Sequence, residues 1–257
     1  MGDVLISIVN YRSFGKTEKA VESIYDRSTE KYSKRIVIVD NSVDKEEAEK
    51  LVGLKARFPE IELVFSENND GFGKGHNLAF NRFCDPDTKF FVILNPDVVL
   101  ENDAVGIMKA YLEEHPECAM TIPRLLKPEG GMQKAYRREL TVRDMFIRSF
   151  TPHLFKKRSA YHTMQDMDYS QPFKVPFAQG SFLMIRSEIY RELGGFDDRF
   201  FLYLEDADLC RRVNMVSEIN YVPAAKAVHV WEKASGKNLK LFMIHLGSMI
   251  KYFRKWS

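Results

Sequence analysis

Three acids stand close together in the stretch Phe200-Phe201-Leu202-Tyr203-Leu204-Glu205-Asp206-Ala207-Asp208. A carboxylate beside apolar walls tends toward a raised pKa, which suits a general base that takes a proton from a hydroxyl. If a helix begins near Glu205, these acids fall in its first turn, where the helix dipole favours each by about 0.3–1 kcal/mol. Asp208 is further explained as an i,i+4 partner of Arg212. Asp206 keeps a chemical role, and Glu205 either supports the same site or caps the helix. Asn95-Pro96-Asp97 follows the apolar run Phe90 to Leu94. A carboxylate at a strand end is well placed to hold Mg²⁺ or Mn²⁺, hard cations that take oxygen ligands and bridge phosphates. A proline turn or a helix cap is the structural alternative there. Between Asn68 and Asn77, glycines at 71, 73 and 75 would let a backbone approach a ligand, and a helix N-terminus behind them would favour an anion. The spacing is neither G-x-G-x-x-G nor a Walker A, and a plain turn into a helix competes with it. His229 closes the short run Ala227 to Trp231, where a histidine is either structural or a member of the site.

These residues need elements to hold them. Val4 to Val9, Arg35 to Val39, Ile61 to Phe65 and Phe90 to Leu94 are short, nearly continuous apolar runs, which predict buried strands. Helices are expected between them, over Lys16–Tyr25, Lys45–Arg57 and Gly73–Phe83, and again over Asp103–His115 with Asn102 or Asp103 as its cap. Such alternation implies an α/β fold with a mostly parallel sheet covered on both faces. Ligands on these sheets bind outside the carboxyl ends of the strands. Asn10-Tyr11, Asp40-Asn41-Ser42 and Asn95-Pro96-Asp97 should therefore meet at one edge, although each is also ordinary turn chemistry. The alternation then breaks: Pro128 to Gln171 has weak periodicity, and Phe173 to Ile185 reads as a strand region carrying Gln179-Gly180-Ser181.

The composition excludes some classes. With 38 basic and 36 acidic side chains the net charge is +2, which gives no global reason to expect nucleic acid. The three cysteines, Cys84, Cys118 and Cys210, lack metal-ligand spacing and read as reduced thiols. No run approaches the roughly 18–20 apolar residues that span a bilayer, and Val4 to Val9 is too short for a signal segment, so a cytoplasmic protein is expected. The last segment, Leu239 to Trp256, places Leu239, Phe242, Met243, Leu246, Met249, Ile250 and Phe253 on one helix face, with Lys240, Lys251, Arg254 and Lys255 adding positive charge. Such a helix either packs on the core or lies on an anionic membrane surface, or does both. Lys156-Lys157-Arg158 would add to the same basic patch.

In order and spacing, Val39-Asp40-Asn41-Ser42, Asn69-Asp70-Gly71-Phe72-Gly73, Leu94-Asn95-Pro96-Asp97, Gln179-Gly180-Ser181, Gly194-Gly195-Phe196-Asp197 and Glu205 to Cys210 resemble the family 2 glycosyltransferases of the GT-A fold. The resemblance runs from Ile8 to about Trp231 and is nearest to the bacterial rhamnosyltransferase-like branch. With it, the chain reads as a single domain over 1–257: a nucleotide-sugar half (1–100) and an acceptor half (101–235), followed by the C-terminal amphipathic helix (236–257) expected from its periodicity. The resemblance implies that Asp40 contacts the pyrimidine base and that Asn10, Tyr11, Asn69, Gly71, Asn77 and Asn95 line the nucleotide pocket. Asp97 would be the last acid of a D-x-D motif whose first position is Asn95 here, with His229 completing a Mg²⁺ or Mn²⁺ site. Asp206 would be the catalytic base, with Glu205, Gln179, Gly180 and Ser181 on the acceptor side. The implied reaction inverts the sugar carbon. The donor would be dTDP-rhamnose, or else a UDP-hexose, and the acceptor a glycan, in relatives often lipid-diphosphate-linked. A sugar nucleotidyltransferase would need a glycine-rich basic loop where Asn10-Tyr11-Arg12-Ser13-Phe14 stands. A non-catalytic nucleotide-sugar-binding protein is the other alternative.

Overall fold

The first half of the chain forms the strands that its apolar runs predict. In a computed structural model that describes residues 2–29, 32–150, 154–230 and 238–257, the order begins β1 (Val4–Asn10), α1 (Phe14–Arg27), β2 (Lys34–Asp40), α2 (Lys45–Arg57), β3 (Ile61–Phe65), α3 (Phe72–Phe83) and β4 (Phe90–Leu94). Every residue of β1 and β4 is buried, as expected of strands covered on both faces. β1 pairs in parallel with β2 and β4, and β2 with β3. The register sets Asn10 beside Asp40 at the carboxyl edge.

The second half departs from the expected pattern. It continues β5 (Val98–Leu100), α4 (Ala104–Glu114), β6 (Cys118–Leu126), β7 (Tyr136–Arg137), α5 (Val142–Phe150) and α6 (Lys156–His162). Then come β8 (Phe173–Lys174), β9 (Phe177–Ala178), β10 (Phe182–Arg186), α7 (Ser187–Glu192), α8 (Glu205–Val216), β11 (Glu218–His229) and α9 (Leu239–Lys255). The main sheet runs β3-β2-β1-β4-β10-β6-β11-β5, with β8 also on β11, and β7 pairs β9 separately. β10 is antiparallel to both β4 and β6, and β5 is antiparallel to β11, so the mostly parallel sheet is mixed, with its antiparallel strands in the second half. The weakly periodic stretch after Pro128 holds β7, α5 and α6, whose period was hidden by inward-facing charges. Asp144 is one of these: buried, it is paired by the half-exposed Arg158 through Nε at 2.7 Å and a second nitrogen at 3.0 Å, so Arg158 is not a free surface cation. The strand region Phe173 to Ile185 is three short strands, and the run ending at His229 is the tail of the 12-residue β11. Trp231, the far end of the sequence resemblance, lies outside the described residues.

Caps and glycines fix the entries. Asp103, rather than Asn102, caps α4 by accepting from Gly106 N–H at 3.1 Å. Asn102 instead holds the β11 bulge, donating to Ala224 O and accepting from Lys226 N–H. Gly71, with φ +93°, enters α3 where an added Cβ would sit 2.1 Å from Phe201 O. Among the described residues no helix is long and apolar enough to cross a membrane.

Gly71→Ala should therefore lose at least about 2 kcal/mol in urea unfolding, since a left-handed backbone and a backbone clash add. Gly53→Ala, in the interior of α2 with open space around it, should instead gain about 0.5–1 kcal/mol.

Candidate active site

At the carboxyl edge of β1 and β2 one polar network forms. Asn10 is fully buried. Its Nδ2 donates to Asp40 Oδ1 at 2.8 Å, and its Oδ1 accepts from Ser13 and Thr17 hydroxyls. Both ends of the amide are engaged, so Asn10 orients Asp40 and offers no free polar atom to a ligand. Asp40 Oδ1 also accepts from Ser42 N–H and hydroxyl. Among the described residues its Oδ2 takes no hydrogen bond and remains the atom able to read an N–H. Tyr11, 51% exposed, stands at the mouth beside it.

The glycine-rich stretch does something other than cradle a ligand. Asn69 Oδ1 accepts from Gly71 N–H in a tight turn, and Asn41 Nδ2 donates to Gly71 O. Phe72 N–H, one of the free donors at the α3 N-terminus, is taken by Phe201 O at 3.0 Å. Gly73 and Gly75 leave room for Phe196 and Val9. The close approaches are thus made by the protein itself, tying the loop before α8 to the edge of β2. Asn77 is not brought to this edge. Its Oδ1 accepts from Tyr190 hydroxyl and Phe196 N–H, and its Nδ2 donates to Phe196 O. It lines a separate cleft of about 400 Å³ with Gly195, Asp198 and Arg212, away from Asp97 and Asp206.

Asn95-Pro96-Asp97 is where the other groups converge. β11 pairs with β5 so that His229 sits opposite Val98, and Val230 N–H donates to Asp97 O at 2.9 Å. This puts His229 Nε2 3.3 Å from Asp97 Oδ1 without a hydrogen bond between them. The buried oxygens Asn95 Oδ1 and Asp97 Oδ1 both lack hydrogen-bond partners. A carboxylate oxygen and an imidazole nitrogen suit Mn²⁺, and the carboxylate with an amide oxygen suits Mg²⁺. Among the described residues no group of three or more His, Cys, Asp or Glu side chains could hold a metal alone. A cation here would need further oxygens from a ligand, as Mg²⁺ sites that bridge phosphates do.

The other wall comes from β10 and α8. Asn95 N–H donates to Ser181 O at 2.8 Å. Gly180 N–H donates to Asp206 Oδ2 at 3.0 Å, and Ala207 N–H donates to Oδ1 at 2.8 Å. Gly180 is required by contact: a Cβ there would lie 2.9 Å from Asp206 Cβ. Ser181 Oγ is buried without a partner, while the half-buried Gln179 is held through its backbone N–H on Ala135 O. Asp97, His229, Ser181, Gly180 and Asp206 therefore form a continuous rim at one end of the sheet.

The family described as glycosyltransferase-like family 2 matches residues 2–243. The chain belongs to that family. The rhamnosyltransferase WbbL of Escherichia coli K12 is 27% identical over 191 residues, covering 72% of this chain and 70% of WbbL. The N-acetylglucosaminyl-diphospho-decaprenol L-rhamnosyltransferase of Mycobacterium tuberculosis is 23% identical and covers 71% of this chain. This chain spans 62% of that relative's length. The solved mannosyltransferase of Pyrobaculum calidifontis, in complex with GDP-Man and Mn²⁺, superposes with a TM-score of 0.64 at 15% identity. It covers 90% of this chain and 58% of its own, and the shared architecture is the GT-A fold.

In this family 2 chain the two adjacent acids have opposite surroundings. The apolar-wall argument fits Glu205, not Asp206. Glu205 is 5% exposed with Oε2 unpartnered, and burial first, then the neighbouring Asp206 charge, holds its pKa well above the ordinary value of 4.5. Asp206 is half-buried and accepts two backbone N–H bonds, which favour the ionised form. The helix start is strained: Tyr203 and Leu204 both have positive φ, at 69° and 67°. The bend is held by Ser248, which carried no signal in the sequence, and by Lys251 and Lys255, whose charge was expected in a basic patch but is bonded to the protein instead. Ser248 donates to Leu202 O and Lys251 to Arg199 O, while Lys255 reaches Asp197 and Asp208, each at 2.7 Å. Asp208, fully buried, also accepts from Arg212 and Trp256, so it is a clasp between α8 and α9 rather than a surface pair. Gln133, buried against His229, was likewise missed, because a lone Gln after two glycines carries no pattern.

The raised Glu205 pKa has a stability consequence. The folded chain keeps a proton that the unfolded chain releases, so this group's contribution is greatest below pH 4.5 and is lost as pH climbs toward the folded value. Glu205→Gln should raise the melting temperature at neutral and mildly alkaline pH. The gain should shrink toward pH 4.5 in a differential scanning fluorimetry series.

Proposed function

We propose that the protein is an inverting glycosyltransferase that moves a hexose, rhamnose first among them, from a dTDP- or UDP-linked donor to a hydroxyl of a glycan acceptor in cell-surface polysaccharide synthesis. One observation carries the reading. The Asn95 N–H···Ser181 O and Gly180 N–H···Asp206 Oδ2 bonds bring the Asp97–His229 pair and the Asp206 carboxylate to one rim. Rhamnose is supported by the activities named for WbbL and the mycobacterial relative.

Asp40 Oδ2 accepts the ring N–H that uracil and thymine both carry, and Tyr11 supplies a stacking face. Asp97 and His229 would hold a divalent cation together with the donor diphosphate, and Asn95 would offer its free Oδ1 to that cation. When bound, that cation supplies Lewis-acid stabilisation of the departing diphosphate. Asp206 takes the proton of the acceptor hydroxyl as its oxygen bonds the anomeric carbon. The bond from that carbon to the diphosphate oxygen breaks, and its electron pair leaves with the nucleoside diphosphate. Attack opposite the leaving group inverts the carbon. Burial favours the neutral form of Glu205, so it adds little negative charge beside Asp206. The first strand is followed by no glycine-rich basic loop, so the nucleotidyltransferase reading gains no support.

The acceptor is lipid-diphosphate-linked, as the name of the mycobacterial relative states for that enzyme. α9 supports this. Met249 and Phe253 of its apolar face pack on the core, but Leu239, Phe242, Met243, Leu246 and Ile250 stay 38–77% exposed. The helix contains no acidic residue, which fits an anionic lipid surface.

Asp206→Asn should bind UDP or dTDP with Mn²⁺ as the wild type does, yet lose transfer by about 10²–10⁴-fold. Near-normal turnover by a folded variant would remove Asp206 as the base. Asp97→Asn should weaken Mn²⁺-dependent nucleotide binding by at least about tenfold in calorimetry, or about 1.4 kcal/mol. In flotation with phosphatidylglycerol vesicles the wild type should rise with the lipid and the Phe242→Asp, Leu246→Asp double variant should not. Equal flotation would remove α9 from the membrane reading.

A further inference from the structure

Gln133 is 4% exposed and lies on the segment that turns back along β6. Gly130 and Gly131, with φ of 89° and 78°, make that turn. Lys127 N–H donates to Gly131 O, Leu126 bridges Met132, and Gln133 N–H donates to Leu125 O at 2.8 Å. The backbone of Gln133 is thus fixed before its side chain does anything. Its Oε1 lies 3.0 Å from His229 Nδ1. An amide oxygen only accepts, so this contact calls for a proton on Nδ1, and in the neutral ring that leaves the Nε2 lone pair open. That lone pair faces Asp97 Oδ1 at 3.3 Å, with no hydrogen bond between them.

The arrangement is informative because a simpler one is available. A histidine with no partner on Nδ1 prefers its proton on Nε2. Here an Nε2 proton would face the Asp97 carboxylate, and a small adjustment of ring or carboxylate would turn the 3.3 Å contact into a hydrogen bond. We propose that Gln133 is a positioning residue of the cation site: by accepting the Nδ1 hydrogen bond it holds His229 in the tautomer whose Nε2 lone pair stays open beside Asp97. The pair then remains two electron-rich atoms that a divalent cation relieves, instead of a closed hydrogen bond. Acting through the second nitrogen of a ligating histidine is a known way to fix ring orientation and basicity. The inference rests on Asp97 and His229 being the cation site, and the test separates the two claims.

The first readout needs no metal. In ¹⁵N-histidine-labelled protein, the His229 ring signals, assigned by their loss in His229→Gln, should report an Nδ1–H tautomer. Gln133→Met should shift them to Nε2–H, and Gln133→Glu should retain Nδ1–H. The second readout is Mn²⁺ affinity by calorimetry with UDP, repeated with dTDP. Gln133→Met should lose about 10–100-fold and Gln133→Glu should not, while melting curves show both variants folded. An Nε2–H or doubly protonated His229 in the wild type, or unchanged Mn²⁺ affinity in Gln133→Met, would overturn the role of Gln133. A wild type that binds no Mn²⁺ with either nucleotide, while its ring remains Nδ1–H, would overturn the cation site and leave the tautomer assignment standing.

Discussion

The backbone hydrogen bond from Asn95 N–H to Ser181 O is the constraint on which the site depends. It forms where β4 ends and β10 begins, with Leu94 opposite Phe182 in an antiparallel pair. On one side it fixes Gly180, whose N–H holds Asp206 and whose missing side chain lets α8 come close. On the other it fixes the turn through Pro96 that sends β5 out to pair with β11. That pairing delivers His229 to Asp97. Residues more than a hundred positions apart are thereby positioned by backbone bonds and not by long side chains, which is how a site holds its geometry within a fraction of an ångström.

Two adjacent carboxyl groups on one helix turn would ordinarily repel one another. The fold resolves this by giving them different surroundings. Glu205 is turned into the protein, where burial keeps it neutral, and Asp206 is turned to the rim, where two N–H groups sustain its charge. Helical rotation points the two side chains apart, and the left-handed pair Tyr203 and Leu204 sets the direction in which the helix starts. Such backbone costs of order 1–3 kcal/mol per residue and persists only when neighbours over-determine it. Phe72 N–H on Phe201 O holds the loop from the α3 side, and Ser248 on Leu202 O holds it from α9.

How much of this was legible in the residues follows from what periodicity encodes. β1, β2 and β4 were legible because both faces are largely buried, which leaves continuous apolar runs, while the edge strand β3 was legible from its short run Ile61 to Phe65. The boundaries of α2, β3 and β4 agree with the sequence reading residue for residue. β6 was missed because Thr121, Pro123 and Arg124 interrupt it, although Arg124 is folded back onto Tyr221 and not exposed as a charge would suggest. The antiparallel direction of β10 could not be read, since a period of two is the same in either direction. In the site, the aspartates announced themselves as acids after apolar runs. The roles of Asn10, Asn77 and the glycines did not, because a residue type that suits a ligand also suits a protein carbonyl, and only the partner distinguishes them.

α9 joins these threads. Its inner face is specified by ionic and polar contacts: Lys255 between Asp197 and Asp208, Trp256 on Asp208, and Lys251 on Arg199 O. Breaking one partner of a fully buried carboxylate such as Asp208 costs several kcal/mol, because the charge is left uncompensated. The inner face therefore cannot peel away cheaply. Its outer face keeps an apolar stripe in water, and five apolar residues on one stripe differ from apolar residues scattered singly. The helix bearing that stripe is also the one that buttresses the strained loop ahead of Glu205 and Asp206. Ser248 and Lys251 bond the carbonyls of that loop directly, so the helix and the loop pack as one unit.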